Sequence, residues 1–401
     1  MSKVNWSFYD DNGFTRIINV NGTMTGLGAS MAVKEAINAA AEIMPHFVNM
    51  HELQQKASLV IQDLTGAEAG FIAASASAGI SMSIAACITK TNVGLIEKLP
   101  QIDGQKNRVA VQMGHLCNYG ASIEQAITLT GAEVSIIGQS TQVLDHQLEF
   151  AIEDGVIAAL YVVSHHVVEY GQIPLKRFCE ISHQANIPVI VDAASEYDLE
   201  KFLNDGADIV IYSGHKFLSG PTSGIVAGNK QLVKAAYMQN WGIARGMKIG
   251  KESIYGVMAA LTAWKTRDHK AIRQQEKAAL TLWLKACNGI KGIEATLNPD
   301  VTHNPLDRLK IQVDAAALGA SAGAIALALS SYEPKIIARD HEVELGYIQL
   351  DPCNLDHGHA EIVSEALTNI FKQAHKGNLN EPNITDTRNA AIHAYLNWAS
   401  D

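Results

Sequence analysis

The chain has 401 residues, 47% of them hydrophobic and 18% charged, enough for a sizeable core in a large domain plus a smaller one. A formal net charge of −10 argues against a nucleic-acid surface, because contact with phosphates calls for a basic excess. Five scattered cysteines (Cys87, Cys117, Cys179, Cys287, Cys353) form no C-x-x-C pair and read as reduced thiols of a cytoplasmic protein, so the sequons at Asn5, Asn21 and Asn383 carry no weight. The opening "MSKVNWSFYDDNGF" has no apolar h-region, and the longest apolar runs fall short of a membrane span.

From about residue 68 short β-rich runs alternate with helical patterns. "AGFIAAS" ends at Ser75 and the helical "SAGISMSIAACIT" follows; "RVAVQM" precedes a loop with His115, then "SIEQAITLTGA" has helical spacing. "EVSIIG" is a strand, "LDHQLEFAIEDG" a helix, "IAALYVVS" a strand ending at Ser164, and "LKRFCEISHQAN" a helix. "IPVIVD" ends at Asp192 and "DIVIYS" at Ser213. This alternation predicts a mostly parallel sheet with helices on both faces. After "SIYGVMAALTAWKTRD" a long helix leads into "RLKIQVD", the helical "ASAGAIALALSS", "KIIARD", "GYIQLD" and the helical "HAEIVSEALTNIFKQA", a second α/β unit from about residue 266.

Ligands of an open parallel sheet bind at the carboxyl ends of its strands. Ser75 and Ser77, His115, Ser164 with His165, Asp192, and Ser213 with Lys216 all fall at that edge. A lysine, a carboxylate, a histidine and a Ser/Gly-rich helix start together suit pyridoxal 5'-phosphate (PLP). That cofactor needs a lysine for its Schiff base and a carboxylate to keep the pyridine nitrogen protonated. Lys216 takes the first role, with its pKa lowered, and Asp192 the second. The phosphate falls to Ser75, Ala76 and Ser77 at their helix start, assisted by Ser213, and His115 stacks on the ring. His165 and His215 are the candidates for a general acid; His165 and His166 are expected to point in opposite directions from a strand end.

The run "VIVDAASEYDLEKFLNDGADIVIYSGHKFLSGP" resembles PLP enzymes of the selenocysteine synthase type, in the branch containing D-glucosaminate-6-phosphate ammonia-lyase. "INVNGTMTGLGAS", "LTGAEAGFIAASASAGI", "ARGMKIGKESIYGV" and "EPKIIARDHEVELGYIQLDP" match the same family in the same order, so the resemblance spans nearly the whole chain. It implies a fold type I, aspartate aminotransferase-like architecture: a large, mostly parallel seven-stranded sheet domain (46–265), a smaller C-terminal α/β domain (266–401), and an N-terminal segment (1–45) contributing to the active site and small domain. It also implies a homodimer or higher oligomer with shared sites. Arg339 resembles the arginine that clamps a substrate carboxylate, a task suited to its planar fork. Arg245 and Lys248 are placed to reach a phosphate or acidic group of the substrate, across a subunit interface. Two departures stand out. Gly214-His215-Lys216 replaces the usual Gly-Gly-Lys, and the tRNA-gripping N-terminal domain of selenocysteine synthases has no counterpart in this acidic chain, which argues against a tRNA-dependent reaction.

Gly246 to Lys251 is one residue short of a P-loop and continues with Glu252, so that motif fails. His357 and His359 read as a solvated helix start, and no metal site is expected. The resemblance implies α,β-elimination of ammonia and water from a D-configured β-hydroxy amino acid or amino-sugar acid, giving a 2-oxo acid. The residue types leave racemase, epimerase and aminotransferase chemistry open because all begin with the same α-proton removal. A non-catalytic PLP carrier fits poorly with a substrate-type arginine.

Overall fold

Strands buried on both faces need apolar side chains on both, and "IPVIV", "DIVIY" and "RVAV" supply them. In the computed structural model, which describes residues 4–102 and 106–399, these runs enter a seven-stranded sheet. Its spatial order is Ala69–Ala73, Gly224–Gly228, Ile209–Ser213, Val189–Asp192, Val156–Val162, Arg108–Gln112, Glu133–Ile137. Gly224–Gly228 runs antiparallel to both neighbours and the other pairings are parallel.

Successive residues serve opposite layers. Val189 and Val191 join one core with the helices Lys34–Ile43, Met50–Thr65, Asp145–Glu153, Leu175–Gln184 and Lys251–Thr266. Ile190, Ile209 and Ile211 join the other with Ala76–Thr89, Ile123–Thr128 and Lys230–Met238. Apart from its first turn, Ala76–Thr89 is buried on nearly every side, as its mostly apolar sequence requires, with Ser81, Ser83 and Thr89 donating to backbone carbonyls.

The chain divides into two compact units, residues 30–267 and the stretch up to Ala29 together with Asp268 onward. The second has its own core around Trp283, Leu309, Ile336, Ile348 and Phe371. It contains the antiparallel strands Ile293–Pro299, Asp307–Val313 and Tyr347–Leu350, and a parallel pair of Ile17–Val20 with Lys335–Ala338. Among the described residues no helix is long and apolar enough to cross a membrane.

One glycine lets the sheet approach the start of the buried helix. A Cβ on Gly224 would lie 2.1 Å from the Ser75 carbonyl oxygen and 2.7 Å from the Ala76 nitrogen. Those atoms are backbone and cannot swing aside. Gly224→Ala is therefore expected to destabilise the protein by about 1–3 kcal/mol, the usual cost of overpacking, and to displace the helix start. Thermal unfolding checks it; an unchanged Tm would contradict the close approach.

Candidate active site

Lys216 lies just past the strand Ile209–Ser213, in a loop cinched by its own backbone. Gly214 N–H donates to Ser223 O (3.0 Å), Gly220 N–H to Gly214 O (2.8 Å) and Ser219 N–H to Lys216 O (3.0 Å). The half-buried Lys216 donates from Nζ to Ser195 Oγ at 2.5 Å. Desolvation lowers the Lys216 pKa; the charges of Asp192, Glu196 and Cys117 pull it back up. Asp192, at the end of the neighbouring parallel strand, is 7% exposed, and its Oδ1 accepts from Ala194 N–H at 3.2 Å. Burial pushes its carboxyl up to about 6 against the opposing influence of Lys216. A desolvated amine and a desolvated carboxyl thus sit at adjacent strand ends.

The helix Ala76–Thr89 begins at the same edge. Ser75 caps it: its Oγ accepts from Ala78 N–H (3.0 Å) and its carbonyl from Gly79 N–H (3.0 Å). The N–H groups of Ala76 and Ser77 are left at the tip, where the helix dipole favours an anion. Ser77 Oγ accepts from the Tyr119 hydroxyl at 3.1 Å.

The other side chains at these strand ends are held by their own neighbours. His115 is 2% exposed, and a ring that stacks on a cofactor has to offer a face to open space. Its Nδ1 instead accepts from Val162 N–H (3.2 Å) and its ring packs edge-on against Tyr161, while burial drops its pKa to about 4. It is a neutral brace between strands. Ser213 is buried with Oγ 3.0 Å from His215 Nδ1, and the His215 ring also bonds the Ser223 backbone. Both side chains are turned to each other. His165 and His166 do not diverge; they lie in a turn closed by Val167 N–H to Ser164 O (3.2 Å), with ring centroids 4.8 Å apart.

Ser195, Cys117 and Tyr119 went unmarked in the sequence. Ser195 was findable as the first polar side chain after Asp192, in "DAAS". Cys117, an apolar-looking loop position, has its thiol pushed up to about 11 by burial and Asp192 and lowered by Lys216, so it faces that pair. Arg245 and Lys248 are exposed, in and just after the short turn Ile243–Met247.

Arg339 belongs to the other unit. It follows the strand Lys335–Ala338, and its backbone exchanges two hydrogen bonds with Gln349 (3.0 and 2.9 Å). It is 4% exposed, and burial and the Arg308 charge lower its pKa against the charges of Glu342, Asp351 and Asp300. Arg308 is neutralised by Asp300 (2.5 Å) and Asp351 (2.7 Å). Among the described residues no carboxylate pairs with Arg339. In the same unit His359 Nδ1 accepts from Asp356 N–H (3.2 Å) and its ring stacks on Trp6.

Residues 17–344 match the family model described as SelA: L-seryl-tRNA selenium transferase. The chain is a member of the SelA family. It is 34% identical to the D-glucosaminate-6-phosphate ammonia lyase of Salmonella typhimurium (strain 14028s / SGSC 2262), over 92% of this chain and 99% of that one. It is 31% identical to a 5'-C-glycyluridine monooxygenase-decarboxylase from Streptomyces sp, over 90% and 92%. A solved structure of D-glucosaminate-6-phosphate ammonia-lyase superposes with a TM-score of 0.82 at 34% identity, over 93% of this chain and all of that one. Aspartate aminotransferase from Thermus thermophilus superposes at 0.55 with 12% identity, over 90% and 94%. The fold of this SelA-family member is fold type I of the PLP-dependent enzymes, with a seven-stranded, mostly parallel sheet.

The donor set suits PLP. A desolvated lysine can bond an aldehyde, a buried carboxylate calls for a cationic N–H partner, and a helix tip offers N–H groups to a phosphate. One consequence is measurable without cofactor. The folded pKa of Asp192, about 6, lies above the ordinary carboxyl value of 3.8, so its ionisation opposes folding as pH climbs from about 4 through 6. Asp192→Asn is therefore expected to stabilise the cofactor-free protein at pH 7 by roughly 1–3 kcal/mol, and the advantage should vanish near pH 4. Thermal unfolding at the two pH values checks this; a less stable variant at pH 7 would contradict it.

Proposed function

We propose that this SelA-family member is a PLP-dependent ammonia-lyase. It eliminates ammonia and water from a D-configured β-hydroxy amino acid or amino-sugar acid and releases a 2-oxo acid. The observation that carries this is the desolvated Lys216 beside buried Asp192, in a chain 34% identical over 92% of its length to an ammonia lyase. Lys216 and Asp192 hold the cofactor through aldehyde and pyridine nitrogen, and Ala76 and Ser77 hold its phosphate. PLP, when bound, supplies the electron sink for the carbanion.

The protein's own part is proton handling and orientation. Desolvation favours the neutral amine of Lys216, the form that takes a proton, and Ser195 Oγ fixes where Nζ points. Arg339 has a buried guanidinium with no carboxylate in direct contact among the described residues, whose planar fork suits a substrate carboxylate through two parallel hydrogen bonds. The β-hydroxyl leaves with a proton as water. Water is taken back when the nitrogen is released, so the balance is one amino acid to one 2-oxo acid and one ammonia. With His215 tied to Ser213, His165 is the histidine assigned to that proton. Arg245 and Lys248 are exposed for an acidic substrate group, on a cytoplasmic homodimer or higher oligomer whose subunits share sites.

The test is incubation with a panel of D- and L-β-hydroxy amino acids and amino-sugar acids, reading ammonia, 2-oxo acid and α-proton exchange in heavy water. A D-configured member of the panel should release equal amounts of ammonia and 2-oxo acid. Exchange with inversion and no ammonia would establish a racemase instead. His165→Gln should slow elimination roughly 10²–10⁴-fold while sparing exchange; an equal loss in both would remove His165 from that role.

A further inference from the structure

Tyr119 and Ser77 share a hydrogen bond between their hydroxyls. Their oxygens lie 3.1 Å apart; once Ser77 gives its one hydroxyl proton to an anion it can only accept from Tyr119, whose phenol is then the donor. Ser77 is the second residue of the helix Ala76–Thr89, beside the tip N–H groups. Ser75 Oγ is already committed to capping through Ala78 N–H. Ser77 is thus the serine of this turn whose hydroxyl can be aimed from outside the helix.

The loop that carries Tyr119 is braced. Tyr119 N–H donates to Ala121 O (3.1 Å), Gly120 N–H to Asn118 Oδ1 (2.8 Å) and Ile123 N–H to Cys117 O (3.1 Å), with an Asn118–Ser122 bridge across it. Tyr119 is 36% exposed, with its hydroxyl turned inward to the helix. Cys117 and Tyr119 both register the charge of Asp192, so the loop borders the lysine–carboxylate pair as well as the helix tip. Burial raises the phenol pKa against the lowering influence of the Ser77 hydrogen bond, so Tyr119 keeps its proton.

We propose that Tyr119 is a positioning residue that orients the Ser77 hydroxyl toward the phosphate of PLP. The assignment rests on the PLP reading above and deepens it. Donation from Tyr119 polarises Ser77 and strengthens the bond Ser77 makes to the anion. Tyr119 therefore contributes to cofactor retention through the phosphate alone, without touching the reacting atoms.

The experiment uses full-length protein stripped of cofactor and titrated with PLP and, separately, with pyridoxal, which lacks the phosphate. Binding is read by absorbance and by quenching of tryptophan fluorescence. Tyr119→Phe should weaken PLP binding about 3- to 10-fold, the range of one hydrogen bond, and leave pyridoxal binding and Tm unchanged. Ser77→Ala should do the same or more, and the double variant should lose no more than Ser77→Ala alone. Independent, additive losses would overturn the proposal, as would an equal loss for PLP and pyridoxal. A wild-type protein that binds neither compound would overturn the PLP reading itself, an outcome distinct from the other two.

Discussion

The chemistry hinges on a lysine held where water is scarce. Lys216 could sit solvated on a helix face. It follows a buried strand instead, with its Nζ on Ser195 Oγ and a buried carboxylate at the next strand end. Neither group is comfortable: burial lowers the amine's pKa and raises the carboxyl's, and each charge partly relieves the other. Such strain is affordable only in a rigid frame. The parallel sheet fixes both strand ends, Gly224 brings the helix tip to the same edge, and the loop after Lys216 is closed by backbone hydrogen bonds. A cofactor with an aldehyde, a protonated ring nitrogen and a phosphate answers all three local demands.

The second unit repeats the principle with a different charge. Arg308 is neutralised twice, by Asp300 and Asp351, whereas Arg339 is slightly more buried and has no such direct pairing among the described residues. A buried guanidinium without a direct carboxylate partner is helped only at a distance by charges such as Glu342, and a ligand anion completes it. The contrast between two arginines in one unit argues for Arg339 as a ligand group more strongly than its sequence position does.

Much of the fold was legible because both sheet faces are covered. That produces continuous apolar runs such as "PVIV" and "DIVIY", bounded by polar strand ends that also mark the site. Gly224–Gly228 escaped because "GIVAG" is short and glycine-bounded, like a loop. Ile293–Pro299 escaped because all of its residues are exposed or only half-buried, which blurs the alternation. Among side chains, Lys216 and Asp192 stood out by chemical type at a strand end. His115 did not behave as its type suggested. Whether a histidine after a strand turns outward or reaches back to Val162 N–H depends on the neighbouring strand, which no local pattern encodes. His215 was uncertain for the same reason, since its partner Ser213 is two residues away on a strand whose direction only the sheet defines.

The central claim is that Lys216 carries the cofactor. Its most direct test is borohydride reduction of the purified, PLP-loaded protein, followed by proteolysis and mass mapping. Reduction turns the imine into a stable secondary amine, so the account predicts a single phosphopyridoxyl adduct on the peptide containing Lys216. An adduct on another lysine, or none in a protein that has bound PLP, would contradict it.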